Sequence, residues 1–75
     1  MSTIEQTWTD RGDSAAREDL RAGHTGEWDR GAVLAHLGIF DETDTDAAAY
    51  GLAGDDLAAA QRAALAGYAR VMEGA

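Results

Sequence analysis

The 75-residue chain contains no cysteine, no proline and no lysine. Without Cys there is no disulfide to staple a small fold, and no thiolate to hold a metal or act as a nucleophile. Without Pro, nothing forbids helix at any position. Without Lys, every positive side chain is an arginine (Arg11, Arg17, Arg21, Arg30, Arg62 and Arg70), and 14 acidic residues against these six leave a net charge of −8. That deficit argues against direct nucleic-acid binding, whose affinity comes largely from cationic contacts to phosphate. Long apolar runs are missing too. The longest stretch without an acid or Arg, Gly31 to Phe40, is far short of the roughly 20 residues a membrane-spanning helix needs. The opening MSTIEQTWTDRGD has neither a basic leader nor an apolar segment. A soluble, cytoplasmic protein with no membrane partner is therefore expected.

Hydrophobic residues make up 45% of the chain, but 17 of those 34 are Ala, which adds little buried area and lets backbones approach closely. A single small acidic helical domain over residues 1–75 buries only about 60% of the surface its unfolded chain exposes. Its core supplies a net stability of about 3–5 kcal/mol. A partner chain, another protein or a second copy, is the natural supplement.

The abundance of Ala, Leu, Arg and Glu, with few β-branched residues, predicts an all-α fold: a small bundle of three to five short helices. Ser2 and Glu5 have the spacing of a capping box, and Ile4 and Trp8 then share a face. Gly12 is expected to break or kink this helix, with Asp13 or Ser14 capping a second piece through Ala22. Gly23 and Gly26 bracket a turn. A helix follows in which Trp28, Ala32, Ala35 and Ile39 form one stripe and Val33, Leu37 and Phe40 another, ending near Gly38. A short helix over Ala47 to Leu52 has Thr43, Asp44, Thr45 and Asp46 as competing caps. The last helix, about residues 55–73 and the longest, is capped by Asp55 or Asp56 and carries Leu57, Ala60, Ala64, Tyr68 and Met72 on one stripe. Its Ala-rich surface suits close helix packing, within the chain or against a second copy.

Between Asp41 and Asp56 stand six carboxylates, Asp41, Glu42, Asp44, Asp46, Asp55 and Asp56, with no Lys or Arg among them. Such a run repels nucleic acid and attracts basic protein surfaces. A calcium loop counted from Asp44 fails, because Ala49 stands where Gly is needed and Asp55 where a bidentate Glu is needed. His24 with Glu27 is one i, i+3 pair, and the second imidazole, His36, is twelve residues away from His24, so a transition-metal set is not formed. Ser2 and Ser14 read as helix caps rather than nucleophiles, and no Gly-rich phosphate loop occurs. The sequence thus predicts no enzyme and no cofactor.

What remains is a small protein-protein interaction factor, accessory, regulatory or inhibitory, that docks onto a larger protein with a basic surface. Its expected contacts are the carboxylates Asp41, Glu42, Asp44, Asp46, Asp55 and Asp56, with Tyr50 and Leu52 as apolar anchors. In size, charge and lack of Cys the chain resembles small acidic phage inhibitors of host defence nucleases, although it shares no motif with them. That resemblance implies an alternative, nucleic-acid mimicry on a nucleic-acid-binding protein. A self-associating structural subunit is the third expectation.

Overall fold

The computed structural model describes residues 2–74; Met1 and Ala75 lie outside the described residues. The fold is all-α, with α1 over Thr3–Arg21, α2 over Arg30–Leu37, α3 over Thr45–Ala49 and α4 over Gly54–Glu73. The C-terminal helix is the longest, at 20 residues. Ser2 caps α1: its Oγ accepts from the Glu5 amide at 3.2 Å and its hydroxyl donates to Glu5 Oε1 at 3.3 Å. Half of a capping box is present, since the return bond leaves from the hydroxyl and not from the Ser2 amide.

The expected break at Gly12 does not occur, and α1 runs through it as one 19-residue helix. The reason lies in packing. Trp8, Gly12, Ala15 and Ala16 are the buried residues of α1, a stripe at spacings of four, three and one that faces α4 without interruption. A Cβ placed on Gly12 would fall 2.0 Å from the Ala64 carbonyl oxygen, and one on Gly67 would fall 2.2 Å from that of Thr9. Both helix backbones therefore touch where either would otherwise carry a side chain. The glycine that weakens a helix locally by about 1 kcal/mol is here what lets the two long helices meet.

The contacts fix the direction of the pair. Glu5 and Thr9 border one groove with Ala59, Arg62 and Ala66, and Asp13, Arg17 and Leu20 border another with Arg70, Val71 and Gly74. Residue numbers rise together on both helices, so α1 and α4 run side by side in the same direction. A parallel pair needs a long connection, which residues 22–53 provide. Much of the Ala-rich face of α4, through Ala60, Ala63, Ala64 and Gly67, is buried and is met by α1.

The returning segment is built from caps. Asp29 starts α2, its Oδ1 accepting from the Gly31 amide at 3.0 Å. Trp28 consequently precedes the helix instead of lying on its stripe. Gly38 ends α2 with φ 76°, a left-handed C-cap that a side chain would strain. Beyond it Ile39 is fully buried, while Phe40 is 53% exposed. One core cluster gathers Trp8, Ile39, Ala47, Leu52, Ala60, Ala63 and Ala64. A second holds Ala15, Ala16, Val33, Leu65 and Tyr68. Leu34 and Leu37 pack against both clusters.

At α3 the short helix ends at Ala49, before the expected Leu52, and Asp44 occupies the N-cap position without capping through its side chain. At α4 the cap position belongs to Ala53, again without a side-chain bond. Asp55 and Asp56 sit in the first turn, where they complement the helix dipole rather than cap it.

Candidate partner-binding surface

The acidic segment divides into carboxylates that hold the fold together and carboxylates that face water. Asp41 belongs to the first group: its Oδ1 accepts from the Thr43 amide and from the Thr43 hydroxyl, both at 2.7 Å. Such an Asx turn favours the ionised form. The Thr43 hydroxyl bond, followed by the amide bond, holds the Asp41 carboxyl below the usual range. Asp44 turns back to accept from the Phe40 amide at 2.9 Å. Both residues close the tight loop that carries the chain from α2 to α3.

Asp46 has a charged partner that its neighbourhood in sequence does not contain. Arg11, 35 residues earlier on α1, places Nη1 3.2 Å from Asp46 Oδ2. The same guanidinium lies 4.6 Å from the centroid of the Trp8 ring and 4.7 Å from that of Tyr50. It also donates to the Tyr50 hydroxyl. Trp8 and Tyr50 meet edge to face with centroids 5.7 Å apart. Arg11 thus clamps α3 and the residue following it onto α1 through charge and π contacts together. Tyr50 remains 54% exposed, so the outer side of this clamp is open to solvent.

Leu52, expected as an apolar anchor, is 4% exposed and belongs to the core. It offers no surface to a partner. Phe40 is exposed instead, although its spacing predicts a helical stripe with Val33 and Leu37. The signal was the left-handed glycine at position 38: once the helix stops there, its periodicity no longer predicts where residue 40 points.

Glu42, Asp55 and Asp56 are exposed and make no side-chain hydrogen bond or ion pair among the described residues. Two bonds bring the loop and the start of α4 together. Gln61 Nε2 donates to the carbonyls of Ile39 at 3.1 Å and Phe40 at 3.0 Å. Gln61 lies five residues beyond Asp56, about 8 Å along the helix axis at the α-helical rise. Exposed Phe40 and the loop bearing Glu42 are therefore tethered between one and two turns from Asp55 and Asp56. The Phe40 ring itself reaches toward the start of α2, its Cε2 3.4 Å from the position a Gly31 Cβ would occupy. The loop and the start of α4 thus present exposed apolar surface and uncompensated negative charge, both of which a basic surface with an apolar centre can use.

The remaining expected features do not converge on it. Asp13 is bound by Arg17 at 2.6 Å and Arg70 at 3.3 Å. Its carboxyl is lowered first by the Arg17 bond and then, against the opposing effect of burial, by Arg70. Asp19 accepts from the Tyr68 hydroxyl at 2.5 Å. His24 and Glu27 form no metal set; among the described residues no group of three or more His, Asp or Glu is placed to hold an ion. No described helix is long and apolar enough to cross a membrane. No protein-family model matches the chain, and neither the curated proteins nor the solved structures contain a significant match to it.

Proposed function

We propose that this protein is a small docking factor that binds a larger, basic protein through the surface made by Phe40, Glu42, Asp55 and Asp56, with Tyr50 as a neighbouring apolar contact. The observation that carries this reading is an exposed Phe40 on the loop that Gln61 ties to α4, whose first-turn Asp55 and Asp56, like Glu42 in the loop, have no internal partner. An exposed aromatic ring is the kind of side chain that anchors an interface when a partner desolvates it. The uncompensated acids select the sign of that partner and speed its approach.

Nucleic-acid mimicry receives less support. A mimic needs carboxylates free to stand in for a row of phosphates, whereas Asp13, Asp19, Asp29, Asp41, Asp44 and Asp46 are engaged in internal bonds. The test is affinity capture from the native host with wild-type protein and a Phe40→Ser, Glu42→Gln, Asp55→Asn, Asp56→Asn variant. A basic protein retained by the first and lost by the second is expected. Equal retention by both, with helix content unchanged, would overturn the assignment.

A further inference from the structure

On another part of the molecule, α1, α2 and the chain between α1 and α2 meet α4 around a cleft of about 430 Å³, lined in part by Asp19, Glu27, Trp28, Asp29, Val33 and Tyr68. This volume is in the range of sites that hold small ligands. Its wall combines aromatic surface with negative charge. Trp28, half-buried, meets Tyr68 edge to face with centroids 4.8 Å apart. Among the described residues no arginine of the chain lines the cleft.

The carboxylates are only partly used. Asp19 gives Oδ2 to the Tyr68 hydroxyl and Asp29 gives Oδ1 to the Gly31 amide. Their second oxygens accept no hydrogen bond within the described chain, and neither oxygen of Glu27 does. The Asp19 bond also fixes the Tyr68 ring, which fixes what Trp28 packs on. Acceptors therefore border a rigid pair of rings at a site with no internal cation.

We propose that this cleft takes the guanidinium of an arginine side chain presented by the partner, an inference that rests on the reading that the partner is basic. A guanidinium is planar, stacks on aromatic surface and offers a fork of donors to carboxylates. An ammonium of lysine supplies a point charge and cannot stack in that way. His24 and His36 also line the cleft.

The test is an NMR titration of the full chain with N-acetyl-arginine amide, following the two indole N–H signals. Trp8, 2% exposed and in the other core cluster, is the internal reference. The Trp28 signal is expected to shift and saturate with a dissociation constant on the order of 1–10 mM, with Trp8 unmoved. Glu27→Gln, an exposed substitution outside any helix, is expected to weaken binding about threefold, the scale of one partly solvated charge contact. N-acetyl-citrulline amide, similar in shape but uncharged, is expected to give no saturable shift. Absence of a saturable Trp28 shift, an equal response to citrulline, or an unchanged affinity in Glu27→Gln would each overturn the proposal. The Glu42→Gln, Asp55→Asn, Asp56→Asn variant separates the two sites. If it loses the partner while Trp28 still responds to arginine, the cleft assignment stands with the docking surface. If wild type keeps the partner while arginine leaves Trp28 unmoved, the cleft assignment fails alone.

Discussion

Gly12 of α1 and Ala64 of α4 meet backbone to backbone, with 2.0 Å between the position a Gly12 Cβ would occupy and the Ala64 carbonyl oxygen. Gly12→Ala must push the long helices apart along their shared length, and overpacking of this kind costs about 3 kcal/mol or more. In a fold whose whole stability is about 3–5 kcal/mol, that leaves about 2 kcal/mol or less, seen by circular dichroism as a partly unfolded chain with a much lowered melting temperature. Gly23→Ala is the contrast: φ there is 87° but nothing lies within 4 Å. It is expected to cost only the backbone penalty, about 1–2 kcal/mol.

Arg11 supports α3 through two rings and one carboxylate. Arg11→Met keeps the stem and removes the charge, and should destabilise the protein by about 1–2 kcal/mol in urea denaturation. Asp46→Asn removes only a partly solvated ion pair and should cost less than about 1 kcal/mol. A double-mutant cycle between them should show a coupling of about 0.5 kcal/mol or more. Strict additivity would mean that the rings alone fix the guanidinium.

Much of this was legible in the chain and some was not. Ser2 with Glu5, Gly38 and the Leu57 to Met72 stripe signalled helix ends and faces because caps and periodicity act over three or four residues. Gly12 misled because its local propensity opposes helix, while its value lies in a contact 52 residues away; the stripe of Trp8, Gly12, Ala15 and Ala16 contained the hint. The Arg11 to Asp46 contact had no local signal at all. The same limit applies to the acidic segment: charge density marked it, but which carboxylates turn inward depends on the amides of Phe40 and Thr43 and on a helix supplied from the other end of the chain.

The Tyr68 phenol is pushed up to about 12, first by burial and then by its bond to the Asp19 carboxylate, from an ordinary value of 10.0. Below pH 10 both folded and unfolded chains keep this proton. Between about pH 10 and 12 the unfolded chain loses it first, so stability falls as pH rises, by about 3 kcal/mol in all. Tyr68→Phe should abolish this alkaline slope in stability measured by thermal unfolding against pH. Persistence of the slope in the variant would assign it elsewhere.

On the acid side the sign reverses. Asp13, held below its ordinary value of 3.8 chiefly by Arg17, binds its proton more readily when unfolded, so its contribution is present above that value and fades as pH falls through the folded one. Asp13→Asn should flatten the acid limb of the stability profile, leaving the alkaline limb as in wild type.

The docking account rests on free charge at Glu42, Asp55 and Asp56, and the most direct measurement is the association rate of the captured partner as a function of salt. Wild type is expected to associate quickly at low salt and to slow steeply as salt screens the approach. The Glu42→Gln, Asp55→Asn, Asp56→Asn variant, with unaltered helix content, is expected to associate more slowly and with a flatter salt dependence. Identical rates and identical salt slopes for the two proteins would contradict the account.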